Sequence, residues 1–270
     1  MKPLLLAFQF LTIIPIKVRG EVTGSDLSRA ASLFPCVGAF QGLVAVAMAS
    51  YLGREFTAEV SSAVILLAWV LMNGGFHLDG LADTFDALAV KSTGDKGVDR
   101  EKRLAVMKDS SSGSVGVTAI VFAVLLKFLF LSFVLSHTSP PRYFMVLFLL
   151  PVFSKWVMVP SLARAVSARP DGLGKLFIDS AGKDTILVSS LFVILFFFSA
   201  SSLFLHRIFD AGTITLFLMV SVTLSLFSIG SVWFFRRKFG GLTGDNFGAV
   251  HEISEILFLF MVTRWLPHFI

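Results

Sequence analysis

The sequence has one cysteine, Cys36, set in an apolar run. A single thiol excludes an intrachain disulfide framework and a metal-thiolate pair, and in that setting it reads as a small buried residue rather than a nucleophile. No G-x-x-x-x-G-K-S/T and no G-x-G-x-x-G stretch is present, so any nucleotide is bound by something other than a P-loop or a Rossmann turn. There is no clear internal repeat and no appended soluble segment. A single integral membrane domain over 1–270 is the expectation, with loops 76–112, 162–183 and 236–247 carrying the chemistry. A leader is not the expectation for the first apolar stretch, because Lys17, Val18 and Arg19 follow where a small-residue cleavage site would stand.

What the chain does have is apolar length. Of 270 residues 55% are hydrophobic, 30 of them Phe, and the mean hydropathy is +0.82. Soluble domains reach a similar apolar share but interleave it with polar residues. Here it comes in runs of about 20, enough to cross roughly 30 Å of hydrocarbon. Seven runs qualify, near 31–52, 58–75, 113–136, 142–161, 184–205, 213–235 and 248–266. An eighth, Pro3–Ile16, is 14 residues long, short for a span and better suited to a re-entrant or interfacial helix. The fold class expected is therefore all-α, a polytopic transmembrane bundle of about seven spans plus that short N-terminal helix. The net charge of +5 fits loops that set topology, and no nucleic-acid partner is expected. With the N-terminus inside, 17 Lys and Arg fall on one side and four (Arg54, Arg142, Arg207 and Arg264) on the other, while Lys127 and Lys155 lie within spans. By the positive-inside rule the three longer loops face the cytoplasm.

The chemistry-bearing residues concentrate in those loops. In Asn73-Gly74-Gly75-Phe76-His77-Leu78-Asp79-Gly80-Leu81-Ala82-Asp83-Thr84-Phe85-Asp86 a helix would put Asp79, Asp83 and Asp86 on one face at i, i+4 and i+7. Three carboxylates there repel unless a cation lies among them, and a hard divalent ion with oxygen ligands fits, Mg²⁺ first and Mn²⁺ second. The plainer reading is a solvated face paired with nearby Lys and Arg. His77 is open between general base, metal ligand and an interfacial histidine bonded to a carbonyl. In Met107-Lys108-Asp109-Ser110-Ser111-Ser112-Gly113, a Ser/Gly-rich helix start beside Lys108 suits phosphate, or is an ordinary cap. Arg164 and Arg169 lie in a Pro/Gly-broken stretch, as anion contacts or topology-setting charge. Asp245, Glu252 and Glu255 open the last span, where carboxylates are costly and usually face a partner, water or a ligand. Two acidic clusters beside glycines on one membrane face are what cation-bridged phosphoryl chemistry requires.

Gly74 to Thr84, together with Gly240-Gly241-Leu242-Thr243-Gly244-Asp245, resembles the cobalamin synthase family, the adenosylcobinamide-GDP ribazoletransferases. Phe34-Pro35 with Val37-Gly38, Met107-Lys108-Asp109 and Arg169-Pro170-Asp171-Gly172-Leu173-Gly174 match in order, so the likeness runs from about residue 8 to about 255. Ser110-Ser111-Ser112 departs from a family pattern that often carries Arg and Ile. The resemblance implies attack by the 3′-hydroxyl of α-ribazole, or of its 5′-phosphate, on the corrinoid-linked phosphate of adenosylcobinamide-GDP, with loss of GMP. It also implies Mg²⁺ and the inner membrane of a prokaryote with a cytoplasmic active site. On that footing Asp79, Asp83 and Asp86 are expected as metal ligands, with His77, Asp79, Asp83 and Asp245 catalytic. Lys108, Arg169 and Glu252 are expected to bind substrate, and a homo-oligomer is left open. A CDP-alcohol phosphatidyltransferase is disfavoured because Asp83 falls where its D-G-x-x-A-R pattern needs Ala and the later aspartate spacing is wrong. An ion-coupled transporter is disfavoured because the acids sit at one interface without repeated halves.

Overall fold

The computed structural model describes residues 1–109, 111–206 and 210–265, and among them every regular element is a helix. In chain order they are α1 (Lys2–Leu11), α2 (Gly24–Ser32), α3 (Phe34–Glu55), α4 (Ala58–Met72), α5 (Phe76–Leu88), α6 (Lys96–Val106), α7 (Ser114–His137), α8 (Pro140–Arg164), α9 (Leu173–Ser180), α10 (Lys183–Ala200), α11 (Ala211–Phe239) and α12 (Gly244–Trp265). A π-helical turn, Ser201–Leu205, prolongs α10. The expected short N-terminal helix is α1, ten residues long.

Five helices are long and apolar enough to cross a membrane: α3, α7, α8, α11, and α10 with its π-helical turn. The pair α4 and α5 passes jointly but bends by 85° at its break, giving six if the pair counts as one span. The run expected at 248–266 forms most of α12, whose Asp245, Glu252, Glu255 and Arg264 keep it out of the apolar set; residue 266 lies outside the described residues. Large apolar side chains are exposed along the outer helices, among them Leu67, Phe122, Leu129, Leu191, Leu218 and Leu226, as expected where hydrocarbon rather than water covers the surface.

The bundle is built around α8, buried without a break from Met145 to Leu162. α3 lies directly on it. A Cβ at Gly38 would stand 2.2 Å from the Pro151 carbonyl oxygen, and one at Gly42 2.4 Å from that of Phe148. Two small residues one turn apart let two backbones touch, the membrane solution to helix packing. α12 lies against α8, α5, α7 and α11.

The polar connections meet at one end of the bundle. Ser28 of α2 hydrogen-bonds Thr185 of α10 at 2.8 Å. Arg103 of α6 donates to the Lys238 carbonyl at 3.3 Å. The segment after α8 pairs with the segment before α12 through Ala168 N–H to Leu242 O (2.9 Å) and Leu242 N–H to Val166 O (2.8 Å).

Candidate active site

The site begins at the break between α4 and α5. Gly74 and Gly75 both take left-handed backbone, φ +64° and +71°, which costs an L side chain energy and glycine nothing. The chain turns sharply and α5 departs at 85° from α4. It then seats on α12 at glycine: a Cβ at Gly80 would lie 2.7 Å from the Asp245 carbonyl oxygen and 2.9 Å from its Cα. Neither atom can move without moving α12. Gly80→Ala is expected to cost about 1–3 kcal/mol of overpacking and to lower turnover about tenfold or more by separating the two helices. Thermal unfolding and product release, measured on the same preparation, check both.

That contact gathers carboxylates. Asp79, Asp83 and Asp86 share a face of α5 as the spacing requires, and Asp245 opens α12 beside them. The carboxyl of Asp83 is pushed up to about 6, first by burial and then by Asp79, Asp245 and Asp86, with Arg169 the opposing charge. Four carboxylates facing one guanidinium leave an excess of negative charge that a cation would relieve. Asp79 and Asp83 make no hydrogen bond or ion pair among the described residues. Asp245 Oδ2 accepts from Arg169 Nη2 at 2.9 Å and from Thr243 Oγ1 at 3.4 Å.

Asp86 is differently placed. Its Oδ2 accepts from Gly113 N–H at 2.7 Å and its Oδ1 from Gly116 N–H at 2.8 Å. It caps the start of α7, the position where sequence reading set a phosphate, and both of its oxygens are engaged there. The carboxylates left for a cation are Asp79, Asp83 and Asp245. Of the phosphate candidates, Lys108 is exposed just beyond α6, and Ser110 lies outside the described residues. Arg169 spends Nη2 on Asp245 and on the Met107 carbonyl (3.3 Å), which ties the 107–109 segment to α12. Its Nε is buried with no acceptor among the described residues.

His77 does not join the aspartates. At 100° per residue it lies about 180–240° around α5 from Asp79, Asp83 and Asp86. Its ring is buried and stacks on that of His251, centroids 4.0 Å apart. Glu252 is also elsewhere, seven residues past Asp245 and so about 10 Å along α12. It meets Lys127 of α7 at 2.6 Å, Glu255 meets the same ammonium at 2.8 Å, and all three are almost wholly buried.

Lys155 of α8 extends this network. Its Nζ is 2.8 Å from His251 Nε2 and 3.2 Å from Asn73 Oδ1. Asn73 Oδ1 also accepts from Gln41 Nε2 at 2.8 Å, and Ser154 Oγ sits 3.1 Å from His251 Nε2. Lys127 and Lys155 received no role from the sequence beyond lying in spans, and His251 received none. The available signal was their charge within apolar runs, which in membrane proteins marks a partner.

Atoms of His77, His251 and Glu252 lie within 4.8 Å of one another, close enough for a metal ion. Two of the three residues are already engaged, Glu252 by Lys127 and His251 by Lys155, and two adjacent ammonium groups oppose a divalent ion. The nitrogen donors also suit zinc-like ions rather than magnesium. The oxygen-only set Asp79, Asp83 and Asp245 fits a hard cation.

A family model described as cobalamin-5-phosphate synthase matches residues 3–263. The chain belongs to that family. Within this cobalamin-5-phosphate synthase family the chain is similar to the adenosylcobinamide-GDP ribazoletransferase of Thermodesulfovibrio yellowstonii, 35% identical over 94% of this chain and 93% of the relative. It is 35% identical to the one of Geotalea daltonii, over 94% of both chains. It is 34% identical to that of Caldanaerobacter subterraneus subsp. tengcongensis, over 95% of this chain and 96% of the relative. No solved structure matches. The protein is a transferase of cobalamin biosynthesis and carries the membrane-length helices described above.

Proposed function

We propose that the protein transfers the adenosylcobinamide phosphate of adenosylcobinamide-GDP to the 3′-hydroxyl of α-ribazole or its 5′-phosphate, with GMP as the second product. The relatives' names supply the substrates. The observation that carries the site is the set of three carboxylates, Asp79, Asp83 and Asp245, brought together where α5 crosses α12 at Gly80, with Arg169 as their one close cation among the described residues.

In the reaction the ribazole oxygen forms a bond to the corrinoid-linked phosphorus, the bond from that phosphorus to the GMP oxygen breaks, and the hydroxyl proton passes to a carboxylate of the cluster. Mg²⁺ held by Asp79, Asp83 and Asp245 would offset the charge on the pyrophosphate oxygens. Arg169, fixed by Asp245 and Met107, would offer the exposed part of its guanidinium to a phosphate oxygen, and exposed Lys108 adds positive charge at the rim. Asp86 keeps the Gly113 turn, and with it the start of α7, against α5. His77 supports α5 from behind instead of acting as base. The 17-to-4 distribution of Lys and Arg favours a cytoplasmic site, and the family resemblance implies the inner membrane of a prokaryote.

Purified protein in liposomes, given adenosylcobinamide-GDP, α-ribazole and Mg²⁺, should release GMP and a new corrinoid in equal amounts, neither appearing when α-ribazole or its phosphate is left out. GMP release that ignores the acceptor, or no product from folded protein with either acceptor, would overturn the proposal.

A further inference from the structure

Two consecutive glycines in left-handed backbone permit the 85° turn between α4 and α5 but do not fix it, because glycine adopts many other conformations as readily. The aspartates of α5 are aimed by that angle, so something outside the turn must set it. Backbone hydrogen bonds close the turn locally, with Gly75 N–H to Val70 O at 3.0 Å and Ile13 N–H to Met72 O at 3.0 Å. Those bonds hold the end of α4. They do not hold α5 against α12.

Lys155 reaches both sides. From the middle of α8 its ammonium bonds Asn73, the last residue before the glycines, and His251 on α12, on whose ring His77 of α5 is stacked. Among the described residues no other side chain hydrogen-bonds both Asn73 and α12. Lys155 is 0% exposed, so its donors face the protein interior rather than bulk water. Asn73 is held from the far side by Gln41 of α3, and the Gln41 carbonyl accepts from Trp69 Nε1 at 3.3 Å. Glu252 and Glu255 balance Lys127 and Lys155, so the four formal charges of the core sum to zero and the ammonium can stay charged without leaving a net buried charge.

We infer that Lys155 is a positioning residue for the transferase. It clamps the α4–α5 break, through Asn73 on one side and the His251–His77 stack on the other, at the angle that presents Asp79 and Asp83 to Asp245. It touches neither substrate nor cation. The inference rests on the transferase reading for its kinetic consequence, but its geometric consequence does not.

The test uses the full chain in liposomes. Spin labels go at Val60→Cys, on the exposed face of α4, and Ala89→Cys, just past α5, in a Cys36→Ala background, and the distance between them is read by pulsed electron resonance. The lysine-containing protein should give one narrow distance. Lys155→Met should broaden or displace it. It should also lower kcat by about 10²-fold, the size of effect that misplacing reacting groups by an ångström brings, while KM for α-ribazole stays within about threefold. Asn73→Leu removes the same bond without changing any charge and serves if Lys155→Met does not fold. It should reproduce the broadening, whereas Asn73→Asp, which keeps an acceptor for both Lys155 and Gln41, should retain the narrow distance and most of kcat. An unchanged narrow distance in Lys155→Met or in Asn73→Leu overturns the inference, whatever the activity. Wild-type protein without product would instead sink the transferase reading and leave the distances to judge the clamp.

Discussion

Asp83→Asn is expected to lower turnover by about 10³-fold or more while the protein stays folded. Asp83 lies at the centre of the cluster, flanked by Asp79, Asp245 and Asp86, and its carboxyl is pushed up to about 6, first by burial and then by that negative charge. The amide is nearly the same size, breaks no hydrogen bond among the described residues, and relieves repulsion. Stability should hold or rise slightly. The loss would come through the cation that Asp83 would help hold against the pyrophosphate, since withdrawing one electrostatic stabiliser of a transition state costs about 10²–10³ in rate. Rate and unfolding temperature, read on the same sample, separate this from a folding defect. Asp86→Asn should behave in the opposite way. It weakens the cap on Gly113 and Gly116, with a cost of about 1 kcal/mol in stability and a smaller effect on rate.

Lys127→Met is expected to destabilise the bundle more than any other single change. Lys127 is the shared partner of Glu252 and Glu255, at 2.6 and 2.8 Å. Removing it leaves two carboxylates facing each other in the core. Breaking a buried ion pair from one side costs about 3–5 kcal/mol, a large part of the stability of most folds. Little folded protein should be recovered from membranes. The combined change Lys127→Met, Glu252→Gln should restore much of it, since Lys155 and Glu255 then balance and no net charge is stranded in the core. Failure of the double variant to recover would assign the lysine a packing role instead.

Much of the scaffold was legible because hydropathy reports it directly. The runs read at 113–136, 142–161, 184–205 and 213–235 correspond to Ser114–His137, Pro140–Arg164, Lys183–Leu205 and Ala211–Phe239. The helices α2, α6 and α9, short pieces inside polar stretches, were not separated, since their apolar faces are too brief to stand out from loop sequence. The 85° break was also hidden: two glycines announce a turn, but the angle belongs to the contacts of Asn73 and Gly80 with other helices.

In the candidate site, helical spacing alone placed Asp79 and Asp83 on one face of α5. Asp86 shares that spacing but takes its role from amides 27 and 30 residues away, which no local pattern reveals. Helical geometry already placed His77 on the opposite face from the aspartates, a signal that its neighbourhood in the motif obscured. Glu252 was grouped with Asp245 by proximity in sequence, whereas two turns of helix carry it to Lys127. The tertiary partners of Lys127, Lys155 and His251 lie on other helices.

Mn²⁺ in place of Mg²⁺, followed by electron resonance in the liposome-embedded protein, tests the division between these two clusters most directly. Wild type should bind the ion, Asp79→Asn and Asp83→Asn should lose it, and His251→Gln in the folded protein should keep it. Binding that survives both aspartate changes and vanishes with His251 would move the cation to the histidine network and contradict the account.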